Sequence, residues 1–165
     1  VLGLAPKVML ASGVPITAQS MGIMLCGTVL GAKRGTLAVL LFITLTALGL
    51  PLLSGGRGGL GIFASPSVGF IVGFPLAAYV AGLITTKLKM VKIFYSSLLG
   101  AIIGGIFVLY IPGIIGMSII LGKSISEATV IALIYLPGDL IKAFLCATLT
   151  QTLFKLRPAD VLSRS

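Results

Sequence analysis

Long apolar runs separated by short interruptions rich in glycine, proline and lysine make up most of this chain. The apolar windows cover roughly residues 16–32, 35–53, 68–86, 93–113 and 137–154. Each approaches the ~20 residues that a helix needs to cross the hydrocarbon core of a bilayer. Residues 1–10 read as the tail of one more span, with Pro6 and Lys7 toward its end and its upstream half missing. The pattern predicts an all-α integral membrane protein: a six-helix bundle, its first helix truncated at the N-terminus, forming a single transmembrane domain over residues 1–165.

Composition agrees with lipid as the solvent. A chain of 165 residues with 58% hydrophobic and 9% charged residues and a mean hydropathy of +1.22 carries more apolar side chain than one soluble core uses. The net charge of +9 would suggest nucleic acid in a soluble protein. Here the basic residues sit at the ends of apolar runs, so the expected partner is the lipid bilayer and not nucleic acid. With alternating spans, Lys33, Arg34, Lys87, Lys89, Lys92, Lys155, Arg157 and Arg164 fall on one side. The positive-inside rule makes that side, and the C-terminus, cytoplasmic. Cys26 and Cys146 lie inside apolar runs, where cysteine behaves as a small hydrophobe.

The outer connections are the informative ones. Residues 54–66 are dense in glycine around Arg57 and too apolar for a plain turn, so they read as a loop able to bend over a solute. In the second outer connection, Ser124-x-x-Glu127 is a capping-box pattern that predicts a short helix from about Ile125. Pro137-Gly138 then offers a new helix start with proline at its first position. This places Asp139 near the outer face and Lys142 one turn deeper; a single long helix kinked at Pro137 would put both nearer mid-membrane. Gly27-x3-Gly31, Gly69-x3-Gly73 and Gly100-x3-Gly104 have the spacing of close helix packing within the bundle.

Candidate chemistry is sparse. Gly56 to Gly61 fits G-x-G-x-x-G, but between membrane spans and with no acidic residue before Glu127. The run Gly116 to Ser124 ends in Gly-Lys-Ser but has one residue too many between its glycines for a P-loop. Neither supports nucleotide binding or ATPase activity. The chain has no His, and its acids Glu127, Asp139 and Asp160 are scattered, so no metal, cofactor or catalytic residue is expected and an intramembrane hydrolase is disfavoured.

Asp139 and Lys142 stand apart from this background. Spaced i, i+3, they share one helical face, and ionisable groups in a span rarely face lipid. They could simply neutralise each other, or they could bind a polar solute. In the second case Asp139 accepts from ring N–H groups and Lys142 donates to a carbonyl or carboxylate oxygen. Arg57, Gln19, Tyr79 and Tyr110 are the other polar groups placed to reach the same outer cavity.

Val14-Pro-Ile-Thr-Ala-Gln-Ser20, Leu30-Gly-Ala-Lys-Arg-Gly35, Gly49-Leu-Pro-Leu-Leu-Ser-Gly-Gly-Arg-Gly-Gly59, Gly69-Phe-Ile-Val-Gly-Phe-Pro75 and Leu136-Pro-Gly-Asp-Leu-Ile-Lys142 together resemble the successive signatures of the BioY family. The resemblance implies a biotin-specific S-component of an energy-coupling factor transporter, with the vitamin held beneath the outer loops. It also implies the partners: a transmembrane coupling protein and two ATPase subunits, which would supply the nucleotide site this chain lacks. Carried over residue by residue, Asp139 and Lys142 are the leading biotin contacts, followed by Arg57 and Gln19. The expected location is the bacterial cell membrane. The alternative is an S-component or stand-alone permease for another small vitamin-like solute.

Overall fold

The computed structural model describes residues 8–9, 15–16 and 18–164. The partial span expected over residues 1–10 therefore lies outside the described residues, except for Val8–Met9. That pair (β1) runs antiparallel to Pro15–Ile16 (β2), with Val8 opposite Ile16.

The helices are α1 (Gln19–Leu30), α2 (Ala32–Ala47), α3 (Val68–Lys87), α4 (Ile93–Ile102), α5 (Leu109–Leu121), α6 (Ile125–Leu133) and α7 (Leu136–Leu156). A π-helical stretch, Ile103–Val108, joins α4 to α5 without a break, so the described residues form six helical rods. α3 is the hub of the bundle, packed against α1, α2, α4 and α5. One core cluster, including Ile71, Phe74 and Leu109, fills the space between α1, α2, α3 and α5. The other, including Met24, Tyr110, Met117 and Cys146, sits between α1, the α4–α5 rod, α6 and α7.

The glycine pairs explain how closely these rods approach. A Cβ on Gly27 would stand 2.4 Å from the Ala78 carbonyl oxygen, and one on Gly104 would stand 2.5 Å from that of Ala77. Both helices therefore meet α3 backbone to backbone, which a side chain would prevent.

Rod lengths match the membrane reading unevenly. α3 with 20 residues and the α4–α5 rod with 29 are long and apolar enough to cross a bilayer. α6 and α7 together reach that standard as a pair bent by 52°. α7 alone has 21 residues, about 31 Å at 1.5 Å per residue, so it is long enough to cross a bilayer without α6. α1, with 12 residues, is shorter than the window 16–32 suggested. Its start is delayed because Pro15–Ile16 is extended, and its end is set by Gly31 at φ 81°. At that left-handed φ one glycine turns the chain, and α2 begins at once. Lys33 and Arg34 are thus in the first turn of α2, not in a loop as their position between two apolar windows implied.

Two local readings meet their expected geometry. Ser124 caps α6, accepting from the Glu127 N–H, while the Glu127 carboxylate accepts from the Ser124 N–H. Pro137 is the second residue of α7, one place later than expected and still within the first turn, where its missing N–H costs no helical bond; the break at Ile134–Tyr135 makes α6 and α7 two helices rather than one kinked helix.

Candidate functional site

α1 and α7 both begin at the same end of the bundle, and their first turns carry the polar residues. Asp139 is buried in the first turn of α7, where the positive end of the helix dipole favours a carboxylate. Lys142 lies one turn further along the same face, and its Nζ is 2.7 Å from Asp139 Oδ1. From α5, the Tyr110 hydroxyl donates to Asp139 Oδ2 at 2.7 Å. From α1, the Ser20 hydroxyl donates to Asp139 Oδ1 at 3.2 Å and accepts from Lys142 Nζ at 3.2 Å. Three helices distant in sequence therefore converge on one carboxylate.

Tyr110 reaches this point through a phase shift. The π stretch ends at Val108, and Pro112 has no N–H to give the Val108 carbonyl. The wider turns rotate all that follows relative to a regular α-helix, Tyr110 included. Its ring packs edge-on against Phe70 at 6.1 Å.

Other expected site residues are placed differently. Gln19 is buried beside Ser20, and its Nε2 approaches the Leu52 carbonyl at 3.5 Å. It also borders an apolar cavity of about 130 Å³ between α1, α2 and Leu52. Arg57 is held by its backbone, paired with Leu53 in both directions at 3.0 and 3.2 Å. Its half-buried guanidinium makes none of the described hydrogen bonds or ion pairs. The loop around it folds back on α2, with the Gly59 N–H donating to the Thr46 carbonyl at 2.7 Å. Tyr79 is apart from the cluster: it lies midway along α3, 42% exposed on the outer surface of the bundle. No group of three or more potential metal ligands occurs among the described residues.

Ser20 is the participant that reading the chain overlooked. The available signal was its place in α1, whose polar side chains are Gln19, Ser20 and Thr28. A hydroxyl inside an apolar helix needs a partner, and residues eight apart share a helical face. Thr28 meets Cys146 Sγ at 3.4 Å and Thr150 Oγ1 at 2.9 Å, so the seam between α1 and α7 carries polar contacts at both ends, with Met24 packed between them.

The model of one protein family, described as the BioY family, matches residues 1–159. The chain belongs to the BioY family. A BioY relative from Rhodobacter capsulatus, named a biotin transporter, is 44% identical over 99% of this chain and 90% of its own length. Another, from Rhizobium etli and also named a biotin transporter, is 48% identical over 90% of this chain and 82% of its own. Among solved structures, the S-component for biotin from an ECF-type ABC transporter superposes with a TM-score of 0.88 at 32% identity. That match covers 93% of this chain and 83% of the solved one. The fold is therefore that of an ECF S-component, the relatives are named as transporters and not as enzymes, and this chain with its apolar helices is a multi-pass membrane protein.

Proposed function

We propose that this chain is the biotin-binding S-component of an energy-coupling factor transporter, with Asp139 and Lys142 as its central ligand contacts. The observation that carries this reading is a buried carboxylate paired with a half-buried ammonium at one end of an apolar bundle, in a fold shared with a biotin S-component. A cyclic urea presents N–H donors beside a carbonyl acceptor. Asp139 is the complement of the first and Lys142 of the second. The pair neutralises itself at 2.7 Å, and a solute engages it through the donor and acceptor positions that the two groups do not spend on each other.

Tyr110 orients the carboxylate in this scheme, and Gln19 lines the rim of the site. Arg57, in the glycine-rich loop, supplies a cation to the far end of the solute, and Tyr79 is the most peripheral of the proposed contacts. The partners are a transmembrane coupling protein and two ATPase subunits. The end bearing Lys33, Arg34, Lys87, Lys155 and Arg157 faces the cytoplasm, together with the C-terminus. Residues 1–165 act as a single transmembrane domain.

Titration calorimetry of the detergent-solubilised protein with biotin tests the reading. Saturable one-to-one binding is expected, with biotin recovered chemically unchanged. No binding of biotin, together with tight binding of a different co-purified vitamin identified by mass spectrometry, would overturn it.

A further inference from the structure

We infer that Ser20 is a positioning residue of the polar site: a hydroxyl brace from α1 that fixes the Asp139–Lys142 pair in the orientation that receives the solute. The inference rests on the site proposed above. Ser20 Oγ, Lys142 Nζ and Asp139 Oδ1 form a closed triangle of 3.2, 3.2 and 2.7 Å, with Ser20 acting as donor to one charge and acceptor from the other. A hydroxyl can fill both roles at once, whereas an amide N–H or a carboxylate fills only one.

Counting valences shows what the brace accomplishes. An ammonium has three donors, and among the described residues Lys142 gives one to Asp139 and one to Ser20, which leaves one. A carboxylate offers about four acceptor positions, and Asp139 fills three, from Lys142, Ser20 and Tyr110. One donor on Lys142 and one acceptor position on Asp139 Oδ2 remain, which match the carbonyl and one N–H of a urea. Without Ser20 the ammonium regains rotational freedom about its long stem, and the remaining pair of valences has no fixed direction.

The seam between α1 and α7 does not depend on this contact. Deeper in the bundle Thr28 ties α1 to Cys146 and Thr150, and Met24 and Cys146 are fully buried in the shared core. Loss of the Ser20 hydroxyl should therefore loosen the pair without unfolding the bundle.

Two readouts on the full chain separate the outcomes. The first is biotin affinity of the parent, Ser20→Ala, Ser20→Cys and Ser20→Thr by calorimetry. Ser20→Ala and Ser20→Cys are expected to weaken binding by roughly 10-fold or more, the loss typical of a hydrogen bond to a charged group, and Ser20→Thr to restore it. The second is the rate at which an amine-reactive ester labels Lys142 in ligand-free protein, read by peptide mass spectrometry. Labelling should be faster in Ser20→Ala than in the parent or Ser20→Thr. Parent-like labelling in Ser20→Ala overturns the inference, as does parent-like binding by that variant or rescue by Cys but not by Thr. If the parent fails to bind biotin while Ser20→Ala still accelerates labelling, the biotin reading fails and the brace stands.

Discussion

The two ends of the bundle treat charge in opposite ways. At the end proposed to receive the solute, charges of both signs are drawn inward, and Asp139, Lys142, Ser20 and Tyr110 satisfy one another side chain to side chain. At the other end Lys33, Arg34, Lys87, Lys89, Lys92, Lys155 and Arg157 stay exposed, and the acid among them, Asp160, meets Arg157 only in an exposed pair at 3.6 Å. The tail binds there through backbone carbonyls. Ser163 donates to the Thr28 and Val29 carbonyls that end α1, and Arg164 donates to those of Lys89 and Val91 and to the Ser96 hydroxyl. An exposed charge acts on the membrane surface as part of a sum and is individually replaceable. A buried one is bound to particular partners, and removing either exposes the cost of the other.

The largest predicted effect tests that asymmetry directly. Lys142→Ala leaves the Asp139 carboxylate buried without its counter-charge, a change of about 3–5 kcal/mol for a broken buried pair. Biotin affinity should fall by at least roughly 100-fold, since 1.4 kcal/mol is a factor of ten. Calorimetry beside Lys87→Ala gives the comparison, because Lys87 is exposed and its loss should leave affinity unchanged. Equal losses in the two variants would break the distinction between the ends.

Next in size is the tail. Arg164→Ala removes the donors to the Lys89 and Val91 carbonyls, bonds of 2.7 and 3.0 Å that join α7's tail to the turn between α3 and α4. A loss of about 2 kcal/mol is expected, as these two bonds and the one to the Ser96 hydroxyl disappear from a charged but partly exposed donor. It should appear as a lower melting temperature in detergent with biotin affinity retained. A fall in affinity comparable to that of Lys142→Ala would mean that the two ends are coupled and not merely different.

How far these ends could be read from the chain depended on how local each feature is. The Ser124–Glu127 box, the new start at Pro137 and the i, i+3 pairing of Asp139 with Lys142 need only a few consecutive residues, and all take the expected form. The single-residue corner at Gly31 escaped because a hydropathy window averages over a turn made by one backbone angle. Ser20 escaped because its partners are 119 and 122 residues away, and nothing near a serine records them. Arg164 looked like one more topology charge, but it makes carbonyl contacts that only the folded tail brings within reach. The π stretch left one faint mark, Pro112, which by itself predicts a kink as readily as a widened turn.

The smallest effect separates burial from location. Glu127 and Lys123 sit at the solute end yet form an exposed pair at 4.0 Å, unlike Asp139 and Lys142 at the same end. The Ser124 backbone N–H, then its hydroxyl, then the Lys123 charge hold the Glu127 carboxyl below the usual glutamate range. A group whose pKa is lowered on folding contributes stability above its unfolded value and loses it as pH falls through the folded one. Amide protection in the first turn of α6 should therefore decline as the pH is brought down through the acid range, and Glu127→Gln should abolish that decline. Both changes should be slight, because solvent screens an exposed pair. A large acid-induced loss of protection confined to α6 would mean that position at the solute end matters more than burial, and the contrast between the two ends would need another cause.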